Sequence, residues 1–396
     1  MTVDLQRTSA LSSKTTGVQE LLRTLVGFDT TSAKSNLALI CFVEDYLKRH
    51  GIASTRVPSP DGTKADLFAT IGETSAAGIG LSGHSDCVPV EGQRWSSDPF
   101  TLMERDGKLY ARGTCDMKGF LACVLASVPL FKSLKLKEPI HIIVSYDEEV
   151  GCTGVRPLIA RLGADLPRPR AVIVGEPTSM RVIDAHKRID SYCTRVTGRE
   201  AHSSMPDIGV NAIAAAAALI GELERLGADI AARQNDPRFE PPYSTVSVGT
   251  IKGGTAPNIV PKHCEFQWQV RSLPSAAPAE VPRDLSAFAE TALLPRMLQV
   301  TQEAAIDTET KGSVPAFVAR PQSEAVALAL ELTGTRHTHA VSYTTEAGLF
   351  EQAGCPSVIC GPGNIAQAHA ADEYVSIAQL EACMAFLAGL ADQLSD

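Results

Sequence analysis

The sequence predicts an α/β protein in two parts: an open-sheet domain built from both ends of the chain, and an α+β unit of βαββαβ pattern inserted into it. Three observations lead there. Short apolar runs, Gly78 to Leu81, Ile140 to Ser145, Ala171 to Val174 and Pro356 to Cys360, have the length and composition of buried strands. Stretches with apolar residues at helical spacing lie between and before them, as in Asn36 to His50. From Lys187 to Gly312 the sheet-building runs give way to a self-contained unit, so 187–312 is assigned to the insertion and 1–186 with 313–396 to the surrounding domain.

Composition sets the bounds. A chain of 396 residues, 44% hydrophobic and 20% charged, can bury a sizeable core and suits two domains. A net charge of -9 without long basic runs argues against a nucleic-acid partner. The polar start, Met1 to Thr16, has no apolar leader core, and no later run is long enough to span a bilayer, so the expectation is a cytoplasmic protein without a membrane partner. The ten cysteines are scattered without a Cys-x-x-Cys and read as reduced, mostly buried small hydrophobes.

In chain order, Val18 to Phe28 and Asn36 to His50 predict two covering helices, the second stopped by Gly51. Pro58 to Lys64 is a turn, and Ala65 to Ile71 and Gly78 to Leu81 are expected as neighbouring strands. Gly83 then breaks the run, so His84 projects at the carboxyl end of a sheet, where open α/β folds place ligands. In extended chain His84 and Asp86 share a side. The carboxylate can then take the proton of one ring nitrogen and leave the other for a metal, although an isolated His-x-Asp is more often a plain structural pair. A loop with Trp95, Pro99 and Phe100 follows, its aromatics expected to pack beneath it.

Tyr110 to Gly119 is a glycine-punctuated loop entering the apolar stretch Phe120 to Leu130, which puts Asp116 near a helix amino end. Helix cap and ligand explain it equally well. Cys115 reads as a packed small side chain, since no histidine base is near in sequence. Strand Ile140 to Ser145 delivers Asp147-Glu148-Glu149, three carboxylates that are costly together unless cations neutralise them or the turn is solvated. Strand Ala171 to Val174 ends in Glu176, and Pro356 to Cys360 turns through Gly361-Pro362-Gly363-Asn364 toward His369. Two histidines with three carboxylates and no required thiolate suit zinc, cobalt or manganese.

The segments Gly83-His84-Ser85-Asp86, Gly113 to Gly119, Asp147 to Gly151, Gly175-Glu176-Pro177-Thr178 and Ala368-His369 resemble, in order and spacing, the M20 family of dinuclear metallohydrolases. The resemblance implies a mixed-sheet metallohydrolase catalytic domain with an inserted lid/dimerisation domain, and two divalent ions, zinc first and cobalt second. It implies Asp116 as the bridging carboxylate, His84 and Glu176 on one ion, and Glu149 and His369 on the other. Glu148 resembles the general base, and Asp86 the residue that orients the first histidine. Within the family, Ser342 to Gly348 and Cys360 to Asn364 resemble the members that remove acetyl from N-acetyl-L-ornithine, a step of arginine biosynthesis. Desuccinylation of succinyl-diaminopimelate ranks second, other N-acyl-amino-acid or peptide hydrolysis third. A binding relative without activity is disfavoured because all five ligand positions and the base are present.

In the insertion, Ser191 to Val196, Tyr243 to Ile251, Cys264 to Val270 and Ile306 to Thr310 read as strands, and Asn211 to Leu226 and Leu285 to Met297 as helices. The resemblance implies a homodimer through this lid, with the alanine-rich helix against either a partner copy or its own sheet. Glu200-Ala201-His202-Ser203-Ser204 resembles the family's oxyanion-stabilising histidine, often supplied by the partner; by itself His202 is a loop histidine. The N-acyl amino acid substrate is expected to meet Asn258, Thr345 and Gly361, with Arg271 gripping its carboxylate in bidentate fashion. A strand-end ion pair is the alternative for Arg271. Lys187 is a further candidate cation, although Lys187-Arg188-Ile189 lacks the glycine found in many relatives at this junction.

Overall fold

Ile79–His84 lies inside a mixed sheet, between Ile140–Ser145 and Ala171–Val174 and parallel to both. The computed structural model describes residues 17–73 and 77–396, so the polar start 1–16 lies outside the described residues. Two units divide the chain, one made of Met1–Asp184, Val318–His339 and Thr345–Asp396, the other of Ala185–Phe317 and Ala340–Thr344.

The first unit's sheet runs Ser54–Pro58, Ala65–Ile71, Ile140–Ser145, Ile79–His84, Ala171–Val174, Ser357–Ile359, and then the strand that starts at Ile183. Two expectations are corrected here. Ala65–Ile71 and Ile79–His84 are not neighbours: Ile140–Ser145, buried at all six positions, separates them. An apolar strand of this kind needs cover on both faces and takes a central place, here between the two strands expected to be neighbours. Nor does Gly83 end its strand, which continues to His84. A Cβ at Gly83 would stand 2.9 Å from Leu121 Cδ2 and 3.0 Å from Met117 Cε, so the glycine serves close packing under a helix.

That helix, Gly119–Ser133, is buried nearly all round and packs against Ile377–Gln393. The stretch Thr114–Ser133 is long and apolar enough to cross a membrane, but 83% of it is buried inside the protein, as in a core helix. Leu37–Arg49 covers the sheet with Leu39, Ile40, Val43 and Leu47 and ends before Gly51, whose φ of 69° suits glycine. All ten cysteines are free, and only Cys41 is exposed.

The second unit is a four-stranded antiparallel sheet in the order Thr245–Gly253, His263–Ser272, Arg188–Thr197, Ala305–Val314. Ala212–Arg233 is capped by Asn211, whose Oδ1 accepts from the Ala214 amide at 3.0 Å. Its buried face, Ala212, Ala216, Leu219 and Leu223 among others, belongs to one core with Phe266 and Trp268 of the sheet, so the alanine-rich side serves internal packing. The helix expected over Leu285 to Met297 lies within a continuous helical run, Glu280–Phe288, one wide turn Ala289–Leu293, and Leu294–Leu298, with Pro295 in the first turn of the last piece.

Candidate metal centre

His84 is the last residue of its strand and is buried. Its Nδ1 donates to the Asp86 carbonyl at 3.0 Å and lies 3.4 Å from Asp86 Oδ1, which turns Nε2 toward the acidic cluster. Nε2 stands 3.0 Å from Asp116 Oδ1 and 3.9 Å from Glu176 Oε1. The other Asp116 oxygen is 3.3 Å from His369 Nε2, which is 3.0 Å from Glu149 Oε2. Asp116 therefore sits between the two histidines with one oxygen toward each. His84, Asp116 and Glu149 form one set whose donor atoms all lie within 4.8 Å of one another, and His84, Glu148 and Glu176 form a second.

The three consecutive carboxylates part company. Asp147, in a left-handed conformation (φ 54°), pairs with Lys64 at 2.5 Å, while Glu148 and Glu149 join the histidines. Asp86 fixes that turn: its oxygens accept from the Glu148 amide at 3.2 Å, the Glu149 amide at 3.3 Å and Ser32 Oγ at 2.7 Å. One carboxylate thus orients the first histidine and both glutamates.

The electrostatics show a cluster short of positive charge. Burial, with Glu149 and Asp116 adding to it, pushes Glu148 well above the carboxylate range. Burial and Asp116 do the same to Glu176, and bring Glu149 to about 7. Asp116 behaves oppositely: despite its burial, His369 and His84 hold it well below its usual value. Asp116 and Glu149 raise His369 to about 10, and His84 is raised against its own burial by Asp116 and Asp86. Glu149 Oε1 and Glu176 Oε1 are buried without a hydrogen-bond partner. Buried, unsatisfied carboxylate oxygens beside imidazole nitrogens aimed at other carboxylates are a donor set that divalent cations satisfy, and cations would reverse the upward shifts. The residues fit a pair of metal ions.

Two residues expected to touch substrate are hydrogen-bonded to the chain itself. Thr345 is fully buried and accepts from the Ala347 amide at 3.1 Å. Gly361 donates to Thr178 Oγ1 at 3.2 Å and accepts from the Met180 amide at 2.9 Å, and a Cβ there would stand 2.0 Å from the Gly175 oxygen. Sequence reasoning passed over Glu346 as a titrating group. It is buried, raised to about 7 mainly by burial, and has one unpartnered oxygen. Its only signal was an acid in the otherwise uncharged Ser342 to Gly348.

In the second unit, His202 is exposed on a two-residue strand whose partner is Ile259–Val260, next to the exposed Asn258. His202 Nδ1 accepts from the Ser204 amide at 3.2 Å, so a neutral ring carries its proton on Nε2. Arg271 lies on His263–Ser272, opposite Ile189 and Thr245. Lys187 Nζ donates to the carbonyls of Pro241 at 2.8 Å and Tyr243 at 2.7 Å, and burial together with Arg271 lowers it to about 8.

Residues 80–393 match the family model described as peptidase family M20/M25/M40. The chain belongs to this family. M20 members are dinuclear metal-dependent hydrolases acting on amides, and the cluster above is this chain's candidate for that centre. Among curated M20 relatives, the acetylornithine deacetylase of Myxococcus xanthus is 35% identical over 96% of this chain and 97% of its own length. That of Shigella sonnei is 37% identical over 90% and 92%. Human carnosine dipeptidase 1 shares the fold with a TM-score of 0.74 at 17% identity, over 97% of this chain and 98% of that one. A dinuclear metal-binding peptidase of the M20 family from Bacillus subtilis does so with a TM-score of 0.68 at 16% identity, over 97% and 99%.

Proposed function

We propose that the protein hydrolyses N-acetyl-L-ornithine to L-ornithine and acetate, the deacetylation step of arginine biosynthesis. The observation that carries this reading is full-length similarity, at 35% and 37% identity, to proteins named acetylornithine deacetylase. In this reading His84 and Glu176 would hold one ion, Glu149 and His369 the other, with Asp116 between them. The nitrogen and oxygen donor set favours zinc, with cobalt as a working substitute. Ions held there would supply Lewis acidity toward the amide carbonyl and toward water.

The chain's own groups do the rest. Glu148 takes a proton from the attacking water on its carboxylate and later delivers it to the leaving nitrogen, as the C–N bond breaks and acetate forms. Asp86 keeps His84 and both glutamates in register for this. His202, with its proton on Nε2, donates to the developing oxyanion. Arg271 and Asn258 receive the substrate carboxylate, while Thr345 and Gly361 shape the wall behind the ligands. Lys187 steadies the turn that flanks Arg271.

We also take the enzyme to be a cytoplasmic homodimer joined through the second unit, whose outer strand Thr245–Gly253 is largely exposed and carries Ile251 at 53% exposure. Sedimentation velocity giving a monomer would remove that part. The substrate is tested by hydrolysis of N-acetyl-L-ornithine against N-succinyl-L,L-diaminopimelate and a panel of N-acyl amino acids, with zinc or cobalt supplied. Clear preference for acetylornithine is expected. Cleavage of another N-acyl amino acid, with none of acetylornithine, would overturn the substrate and leave amide hydrolysis standing.

A further inference from the structure

We propose that Arg112 and Glu373 are positioning residues that preorganise the metal centre by tying together the main chains of three ligand-bearing segments; this rests on the reading of His84, Asp116 and His369 as ligands. Both side chains are 1% exposed, and Arg112 Nη1 donates to Glu373 Oε2 at 2.7 Å. A buried ion pair is by itself weak support for a fold, because desolvation offsets the attraction. What distinguishes this one is where its remaining hydrogen bonds go.

Glu373 Oε1 accepts from the amides of Cys115 at 2.9 Å and Asp116 at 3.1 Å. Asp116 has φ -123° and ψ 91°, which interrupts the helical turn. Glu373 supplies an acceptor for amides at that interruption, and in doing so fixes the peptide that aims the Asp116 carboxylate. Arg112 Nη1 reaches the Ala370 carbonyl at 3.3 Å, next to His369. Its Nη2 donates to Gln93 Oε1 at 2.6 Å and to the Pro89 carbonyl at 3.4 Å, in the segment that follows His84 and Asp86. Gln93 Nε2 in turn donates to the His369 carbonyl at 2.8 Å. The guanidinium also lies 5.0 Å from the Trp95 ring centroid, which assigns that loop aromatic a partner.

His369 needs such a hold. Its side chain is 52% exposed, it sits in a left-handed conformation (φ 62°), and it belongs to no regular element. Packing cannot aim a half-exposed ring on a loop. Its own carbonyl is held instead by Gln93, and the next carbonyl, of Ala370, by Arg112.

The test uses the full chain, stripped with chelator and titrated with zinc and with cobalt against a chromophoric competitor, alongside thermal melts of the metal-free protein. Glu373→Gln keeps an acceptor but removes the charge that Arg112 binds. Gln93→Ala removes the tie to His369 from a partly exposed position and leaves the buried pair in place, so it guards against a folding failure in the first variant. Each variant is expected to bind metal about 10- to 100-fold more weakly, the usual cost of losing a partner behind a ligand. The cobalt absorption spectrum should change, and activity should recover at excess metal with KM unchanged. Wild-type affinity and an unaltered cobalt spectrum in both variants, with any loss confined to melting temperature, would overturn the proposal alone. A wild-type protein that takes up no ions would overturn the ligand reading and this proposal with it.

Discussion

Asp66 offers a sharp test of how the buried acids behind the centre are held. It lies on Ala65–Ile71 with no exposed surface, and neither oxygen has a partner in full hydrogen-bond geometry, although the Tyr146 amide lowers its pKa in part. Burial first, and Glu346 second, push its pKa from 3.8 to about 9. A carboxyl raised on folding binds its proton in the native state across a window where the unfolded chain has lost it. Stability is therefore greatest below the unfolded value near 3.8 and falls as pH rises toward 9. The slope is about 1.4 kcal/mol per pH unit for one proton, so between about pH 5 and pH 8 the loss is on the order of 4 kcal/mol, as an upper bound. Asp66→Asn has nearly the same shape and cannot ionise. It should equal or exceed wild type at about pH 5 and gain over it steadily toward about pH 8. Urea unfolding of the metal-free protein at both values reads the difference directly. If Asp66→Asn were destabilised by the same amount at each pH, Asp66 would be an ionised, partnered carboxylate and the argument from burial would be wrong.

Further outcomes follow from the same geometry. Asp86→Ala removes the acceptor shared by His84, Ser32 and the amides of Glu148 and Glu149; metal affinity should fall about 10- to 100-fold, read by competition titration. Gly175→Ala would drive a Cβ to 2.0 Å from Phe120 Cγ beside Glu176, and overpacking of about 1–3 kcal/mol should lower the melting temperature and kcat together. Removing metal should leave a protein that loses stability as pH rises from about 4.5 through about 7, since Glu149 has its folded pKa raised across that window. Calorimetry with saturating zinc should abolish this slope, because bound cations favour the ionised carboxylates.

The sequence alone determined where the candidate ligands come from. Short apolar runs ending in His84, Glu149 and Glu176 must be strands buried on both faces, and polar groups just past such strands gather at one end of a sheet. The pairing of His84 with Asp86 needed only the two-residue period of extended chain. Secondary elements were legible for the same local reasons, and their ends were not. The strand through Gly83 and the wide helical turn after Phe288 depend on what packs beside them.

What only the tertiary structure decided is which charges meet. Nothing local separates Asp147 from its two neighbours; Lys64, from a turn far earlier in the chain, draws it away. Nothing local marks Glu373 among Asp372, Glu373 and Tyr374, yet it receives two amides of the Asp116 turn. That the hydrogen-bonding groups of Thr345 and Gly361, expected as ligand contacts, engage the chain itself was likewise decided by partners distant or hidden in sequence. Periodicity reports which side of an element faces the core. Partners distant in sequence are set by chain topology and sheet order, and these pairings fix the charge balance of the site.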